Sequence, residues 1–295
     1  MKKENTMLSQ SQNFLNSNTL VKELIKKSSL NSEDIIYEIG PGKGIITKQL
    51  VKVCSKVIAI EYDRNLYEGL RHDFEEEENV EILYGDFLKE KLPKSVTYKI
   101  FSNIPFNITA EILSKITSID NPPEDSYLIM QDEAAKKYSG NPYYKESLRS
   151  LMIKPFFELT IMYKFKNTDF TPVPNVSIVL LRIKKRDKYL IDKKSMKIYS
   201  DFLSYAFSQH GKSLQERLKR IFTKEQFKRL SQELKFNSTL GPLELNFEQW
   251  LGIYKYYVIG VSPEKKQLIE GAEKRLISQQ KKITKIHRNR MVNKS

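Results

Sequence analysis

The segment Ser102-Asn103-Ile104-Pro105-Phe106-Asn107 gathers the residue types needed to act on a planar amino group. The nitrogen of such a group, adenine N6 for example, is a poor nucleophile because its lone pair is delocalised into the ring. Two acceptors drawing on its N–H bonds push it towards tetrahedral geometry and aim the lone pair at an electrophilic carbon. Asn103 offers a side-chain carbonyl and Ile104 a backbone carbonyl. Pro105 restricts Ile104 to an extended conformation and so fixes the direction of that carbonyl. Phe106 offers a flat face on which an extruded base can stack, and having no hydroxyl it cannot be a proton donor. The catalytic effects of such a corner are orientation and charge placement. No strong general base is demanded, because the alkylated amine carries a far more acidic proton. Asn103, Ile104, Pro105 and Phe106 are the candidate catalytic residues; alone, they also fit a strand ending in a proline turn over a buried phenylalanine.

A second constellation lies upstream, in Glu38-Ile-Gly40-Pro-Gly42-Lys-Gly44. Glycines at a strand-to-helix turn let the backbone approach a ligand closely. The spacing G-x-G-x-G differs from the G-x-G-x-x-G of dinucleotide folds, and S-adenosylmethionine, which lacks phosphate, needs no diphosphate pocket. Glu61, 17 residues beyond Gly44, closes the next apolar run, where a carboxylate can accept from both hydroxyls of a ribose. Asp86, in Gly85-Asp86-Phe87, follows the third run and can accept from an adenine amino group. Either acid alone is an ordinary surface group. Three such elements at successive strand ends describe a nucleoside-cofactor site of methyltransferase type, with Gly40, Gly42, Glu61, Asp86 and Asn103 as cofactor-binding candidates. An (Asn/Asp)-Pro-Pro-(Tyr/Phe)-type segment after the fourth strand is the mark of enzymes that methylate planar amino nitrogens.

The elements that must position these residues alternate regularly. Strands are expected at 35–39, 57–61, 80–84, 98–102, 126–131, 156–165 and 176–184, the first ones nearly continuous in apolar character, as in a sheet covered on both faces. Strands alternating with helices predict an α/β fold with a mostly parallel seven-stranded sheet. The last two runs, flanking TDFTPVPN (168–175), predict an antiparallel pair at one edge. After about residue 185 helical patterns take over: Ile198, Phe202, Leu203 and Ala206 share a face, as do Leu214, Leu218, Ile221 and Phe222. Thr223 with Gln226 and Asn246 with Gln249 have capping-box spacing. Phe247, Trp250, Leu251, Tyr254 and Val258 recur at core spacing. The expected organisation is a catalytic domain over 1–184, a small C-terminal helical domain, accessory or RNA-binding, over 185–260 and a basic tail over 261–295.

Composition sets outer bounds. Fifty Lys and Arg against 36 Asp and Glu leave a formal +14, a field that attracts polyanions; nucleic acid, an anionic membrane and simple solubility are all compatible with it. Residues 262–295 hold ten Lys or Arg and three Glu, and such a tail is either a solvated arm or one that grips phosphates. No apolar run approaches the roughly 20 residues of a membrane span, and MKKENTMLSQSQ has no apolar core behind its lysines, so no membrane association and a cytoplasmic protein are expected. The single cysteine, Cys54, reads as packing, and His72, His210 and His287 lack metal-ligand spacing; no metal is expected.

At these residues the sequence resembles the Erm family of ribosomal RNA adenine N6-methyltransferases, within the wider group containing the KsgA and Dim dimethyladenosine transferases. The resemblance spans nearly the whole chain. It includes Ser11-Gln12-Asn13-Phe14-Leu15, EIGPGKG, IEYD (60–63), GDFL (85–88), SNIPFNIT (102–109), IMQDEAAKKYSG (129–140), KPFFELTIMYKF (154–165), FTPVPNVSIVLLRIKKR (170–186) and LNFEQW (245–250). NIPFN, QDEAAKKYSG and the C-terminal half favour Erm over KsgA. The resemblance implies a Rossmann-like class I methyltransferase domain using S-adenosylmethionine, with cofactor contacts at Asn13, Leu15, Gly40, Glu61, Asp86 and Asn103. It implies Phe106, where the family more commonly has Tyr, as the target-stacking aromatic. The implied reaction is mono- or dimethylation of one adenine in the peptidyl-transferase region of naked or nascent 23S rRNA, a mark that blocks macrolide, lincosamide and streptogramin B antibiotics. No protein partner is required, and a monomer is expected. Two alternatives stand beside this: the 16S rRNA dimethyladenosine transferase of ribosome biogenesis, and a non-catalytic RNA-binding factor on the same fold.

Overall fold

The computed structural model describes residues 13–117, 120–280 and 282. Ser11, Gln12 and nearly all of the final basic run from 281 lie outside the described residues. The described strands are β1 (Phe14–Leu15), β2 (Ile35–Ile39), β3 (Lys56–Glu61), β4 (Val80–Tyr84), β5 (Lys99–Asn103), β6 (Asp125–Gln131), β7 (Phe157–Lys164), β8 (Phe170–Thr171) and β9 (Ile178–Lys185). Seven form one sheet in the order β4-β3-β2-β5-β6-β9-β7. All seven expected strands form, their ends shifted by at most two residues. The first five in that order run parallel, and β9 is antiparallel to both β6 and β7, giving the expected edge pair.

β3 and β6 are buried along almost their whole length, which is why their sequences show no polar alternation. Ile36, Val57 and Phe101 are completely buried, and burying such a side chain stabilises by roughly 1.5–3 kcal/mol. The chain runs outward from β2 through β3 to β4, then returns to place β5 on the other side of β2. That reversal creates a crevice beyond the carboxyl ends of β2 and β5, where open α/β sheets bind ligands. The sequence did not disclose β1 and β8, which pair antiparallel through Phe14↔Thr171 and Leu15↔Phe170. Cys54 is buried and its thiol pushed up to about 12 by desolvation, so it packs as a small apolar group.

The chain divides into two compact units: residues 1–136 with 156–188, and residues 137–155 with 189–295. The segment 137–155 thus joins the helical unit although it lies within the sheet-forming half of the sequence. In that unit, Tyr199 of the helix Met196–Ser208 donates its hydroxyl to the Leu151 carbonyl at 2.9 Å. Phe202 stacks on Tyr257 with ring centres 4.8 Å apart, and the buried Trp250 donates to the Pro242 carbonyl at 3.1 Å. Both capping boxes form, Thr223 with Gln226 and Asn246 with Gln249. Two expected core positions are corrected. Ile198 is 48% exposed because the buried stripe begins one position later, at Tyr199, and Val258 is 42% exposed because Tyr257 takes the inner position against Phe202.

The basic segment after 261 starts as helix while remaining mostly exposed. Residues 263–267 and 272–280 are helical, with Ile269 and Ala272 buried. The buried carboxylate of Asp201 accepts from Gly271 N at 3.0 Å and Glu273 N at 2.9 Å, capping the start of the second of these helices. Among the described residues, no helix is long and apolar enough to cross a membrane.

Candidate active site

The glycine turn leaves β2 and is tied at once to its neighbour, Gly40 N donating to the Ile60 carbonyl at 2.9 Å. Gly40, Gly42 and Gly44 have φ of +63°, +60° and +72°, a left-handed region costly for any residue with a Cβ. The three differ in their surroundings. A Cβ on Gly42 would stand 2.7 Å from Phe14 Cε1, and one on Gly44 would stand 2.9 Å from Leu70 and 3.0 Å from Phe74. One on Gly40 would meet nothing closer than the Pro105 ring, at 4.0 Å. Gly44 is therefore demanded by packing against the helix Arg64–Asp73, whereas Gly40 is open and within van der Waals reach of the proline corner.

Two buried carboxylates underlie the turn. Glu38 accepts from Thr47 Oγ1 at 2.7 Å, and burial pushes its carboxyl up to about 8. Glu61 accepts from Gly42 N at 3.0 Å and Asp63 N at 2.8 Å; burial raises its pKa, and those backbone N–H groups oppose the rise. A carboxylate has about four acceptor sites, so Glu61 shapes the turn and still has lone pairs for a diol. Asp86 is partly exposed. Its Oδ1 accepts from Leu88 N at 2.9 Å, and Lys89 stands 3.6 Å from Oδ2. Phe87 is buried beneath it, with Lys115 Nζ 4.7 Å from the ring centre.

At the end of β5 the corner is locked from three directions. Ser102 Oγ accepts from Ile39 N at 2.7 Å, joining β5 to β2. Asn103 Nδ2 donates to the Asn13 carbonyl at 2.7 Å, and Ile104 N donates to the Ile129 carbonyl at 3.2 Å. Phe106, half-buried, opens a 3-10 turn over Phe106–Ile108 and packs against the core, while Thr109 Oγ1 donates to its carbonyl at 3.1 Å. No described residue donates a hydrogen bond to Asn103 Oδ1 or to the Ile104 carbonyl. These are the two acceptors that the sequence chemistry calls for.

The structure thus brings Asn13, Gly40, Gly42, Glu61, Asn103 and Pro105 into one connected site, with Asp86 at the end of the strand outside β3. Leu15 is buried in the core opposite Phe170, which leaves its backbone, not its side chain, for any ligand. Sequence reasoning missed Phe14, which lies over Gly42 with Lys43 Nζ 5.3 Å from its ring centre. It also missed the hydroxyls of Ser102 and Thr47. A hydrogen-bonding residue inside an apolar run, as Ser102 is in KIFSN, is the one signal that pointed to any of them.

These donors and acceptors fit S-adenosylmethionine: a glycine turn left open, a buried carboxylate with spare lone pairs for a ribose, and a second carboxylate one strand further out. The sheet order and this site define a Rossmann-like S-adenosylmethionine-dependent methyltransferase. Over residues 2–258 the sequence matches the family described as ribosomal RNA adenine dimethylase, and the chain belongs to that family. By that membership it is an rRNA adenine N6-methyltransferase. A relative from Bacteroides fragilis, named rRNA adenine N-6-methyltransferase, is 31% identical over 259 residues, covering 86% of this chain and 94% of its own. Ribosomal RNA small subunit methyltransferase A from Mycoplasmopsis pulmonis is 35% identical over 216 residues, covering 72% and 84%. Among solved structures, the 23S rRNA methyltransferase ErmE superposes with a TM-score of 0.77 at 24% identity, covering 83% of this chain and all of ErmE; this likeness is one of fold.

Proposed function

We propose that the chain methylates N6 of one adenine in 23S rRNA, once or twice, acting as a monomer in the cytoplasm and conferring resistance to macrolides, lincosamides and streptogramin B. The observation that carries the chemistry is a pair of acceptors that no described residue engages, Asn103 Oδ1 and the Ile104 carbonyl, beside the open Gly40. Asn103 is fixed through its Nδ2, so its oxygen is held outward for one N6–H bond while Ile104 takes the other. Phe106 holds the extruded base by its face. Gly40 and Gly42 admit the cofactor's main chain-facing edge, Glu61 accepts from its ribose, Asp86 from its adenine, and Asn13 and Leu15 line it through their backbones. Bound S-adenosylmethionine supplies the methyl group on a sulfonium. The methyl would pass to N6 with the cofactor's sulfur leaving as a neutral thioether, and the surplus proton on nitrogen would go to water. The site residues thus orient and polarise the amine; none is required to carry a proton.

The 23S target is favoured by the Erm-like NIPFN and QDEAAKKYSG segments and by alignment of the adenine N-6-methyltransferase relative across more of the chain than the small-subunit one. The higher identity to the small-subunit enzyme favours a second reading, dimethylation of 16S rRNA. Primer extension on rRNA from cells expressing the chain separates them. A new stop at one adenine of 23S rRNA, absent with Asn103→Ala, is the expected result. A stop in 16S rRNA alone would transfer the assignment to the second reading, and no stop in either together with no labelled methyl incorporated into either rRNA would refute both.

A further inference from the structure

The loop joining the helices Asp132–Ser139 and Leu148–Ile153 is braced from within by a buried charge. The Glu146 side chain is wholly buried, although the loop around it is on the surface. Its carboxylate accepts from Ser150 Oγ at 2.7 Å and Asn141 N at 3.3 Å and pairs with Lys154, whose ammonium also donates to the Asn141 carbonyl at 3.0 Å. Tyr143 N and Tyr144 N both donate to the Gly140 carbonyl at 2.9 Å. Gly140 has φ of +62°, and a Cβ there would stand 2.2 Å from Glu146 Oε2. A buried ion pair is a costly way to stabilise a loop but a strong way to specify its shape.

What this frame presents to solvent is Tyr144, 56% exposed, next to the exposed Lys145. Arg149, also exposed, is held in place by the Tyr138 ring, with its guanidinium carbon 5.5 Å from the ring centre and its Nη1 donating to the Tyr138 hydroxyl at 2.8 Å. A framed, exposed aromatic followed by an exposed cation matches an unpaired nucleotide, with a π-face for the base and charge for an adjoining phosphate. Because the loop is already ordered, little conformational entropy is lost when a base stacks on it.

We propose that Tyr144 is a stacking platform for an unpaired base of the RNA substrate, distinct from the reacting adenine, with Lys145 contacting the adjoining phosphate. This rests on the reading of the chain as an rRNA enzyme and adds a contact that holds a neighbouring single-stranded nucleotide. The test is fluorescence anisotropy of the full chain with a short labelled single-stranded oligoribonucleotide and with its duplex. Tyr144→Ala and Tyr144→Leu each weaken single-strand binding by about tenfold while Tyr144→Phe retains it, since stacking needs the ring and not merely apolar area. Duplex binding stays unchanged, and the salt dependence of Tyr144→Ala remains that of the wild type. Lys145→Ala lowers the salt slope by roughly 0.7, the loss of one phosphate contact on a single strand. Wild-type single-strand affinity in Tyr144→Ala and Tyr144→Leu, or equal losses on both RNAs, would overturn the platform. So would a wild-type chain that does not bind the single strand. Failure of the enzyme reading is separable: it appears as absent rRNA methylation whatever the Tyr144 variants bind.

Discussion

The glycine turn and the Asn-Ile-Pro-Phe corner sit side by side across the reversal in strand order, yet they are built on opposite principles. In the turn, polar groups are already matched: Glu61 holds Gly42 N and Asp63 N, Glu38 holds Thr47, and Gly40 N reaches Ile60. In the corner, donors are matched and acceptors are not. Asn103 Nδ2 and Ile104 N are both engaged, while Asn103 Oδ1 and the Ile104 carbonyl receive nothing from the described residues. A binding surface gains from shape that is fixed before the ligand arrives. A catalytic surface needs acceptors whose best partner is the reacting group. The comparison teaches that in this site rigidity comes from donors, and chemistry from the acceptors they leave over.

Removing an acceptor should therefore cost most. Asn103→Ala is expected to lower methyl transfer to rRNA by on the order of 10²–10³-fold, measured with labelled cofactor. Next come the glycines, which should separate by function. Gly40→Ala puts a Cβ on the open side of the turn in a left-handed conformation and is expected to weaken S-adenosylmethionine binding about tenfold by calorimetry. Gly44→Ala presses on Leu70 and Phe74 and is expected to lower the melting temperature by ~2–4 °C per kcal/mol lost, with little change in cofactor affinity. Reversed results for the two variants would break the division between ligand-facing and core-facing glycines.

A smaller effect follows from Glu38. Its carboxyl is raised from 4.5 to about 8 in the fold, so between those pH values the unfolded chain is ionised while the folded one stays protonated. The stability this contributes is complete below pH 4.5 and is lost as pH rises to about 8. Glu38→Gln removes that dependence, and its melting temperature should be flatter than the wild type's from pH 5 to pH 8. Equal slopes would mean that Glu38 is ionised in the fold. Smallest of all is Phe106→Tyr, which keeps the stacking face and should leave the transfer rate near wild type; a large gain would show that a phenolic hydroxyl matters.

Much of this was legible in the residues because it rests on local pattern. Apolar runs at β2, β3 and β6 mark buried parallel strands, and Thr223 with Gln226 marks a helix start through side chains three residues apart. What was not legible depends on distant pairing. β1 and β8 are two residues each, too short for any periodicity, and meet only because residue 14 finds residue 171. Glu38 and Thr47 lie on different elements, so nothing in sequence spacing joins them. Ile198 and Val258 obey helical periodicity and are exposed all the same, because the choice between two adjacent apolar stripes is made by Phe202 and Tyr257 packing together. The corner itself was legible because one motif, 102–106, carries both the strand end and the proline turn that the structure forms there. The candidate site was incomplete where a residue such as Phe14 acts across the fold.

The central claim, that the corner orients an amine by acceptors instead of binding its partners, is tested most directly by single-turnover methyl transfer with Asn103→Ala at saturating RNA and S-adenosylmethionine. The account predicts a rate reduced by on the order of 10²-fold or more even at saturation, with the RNA dissociation constant close to wild type. A wild-type rate at saturation, with the loss confined to affinity, would contradict it.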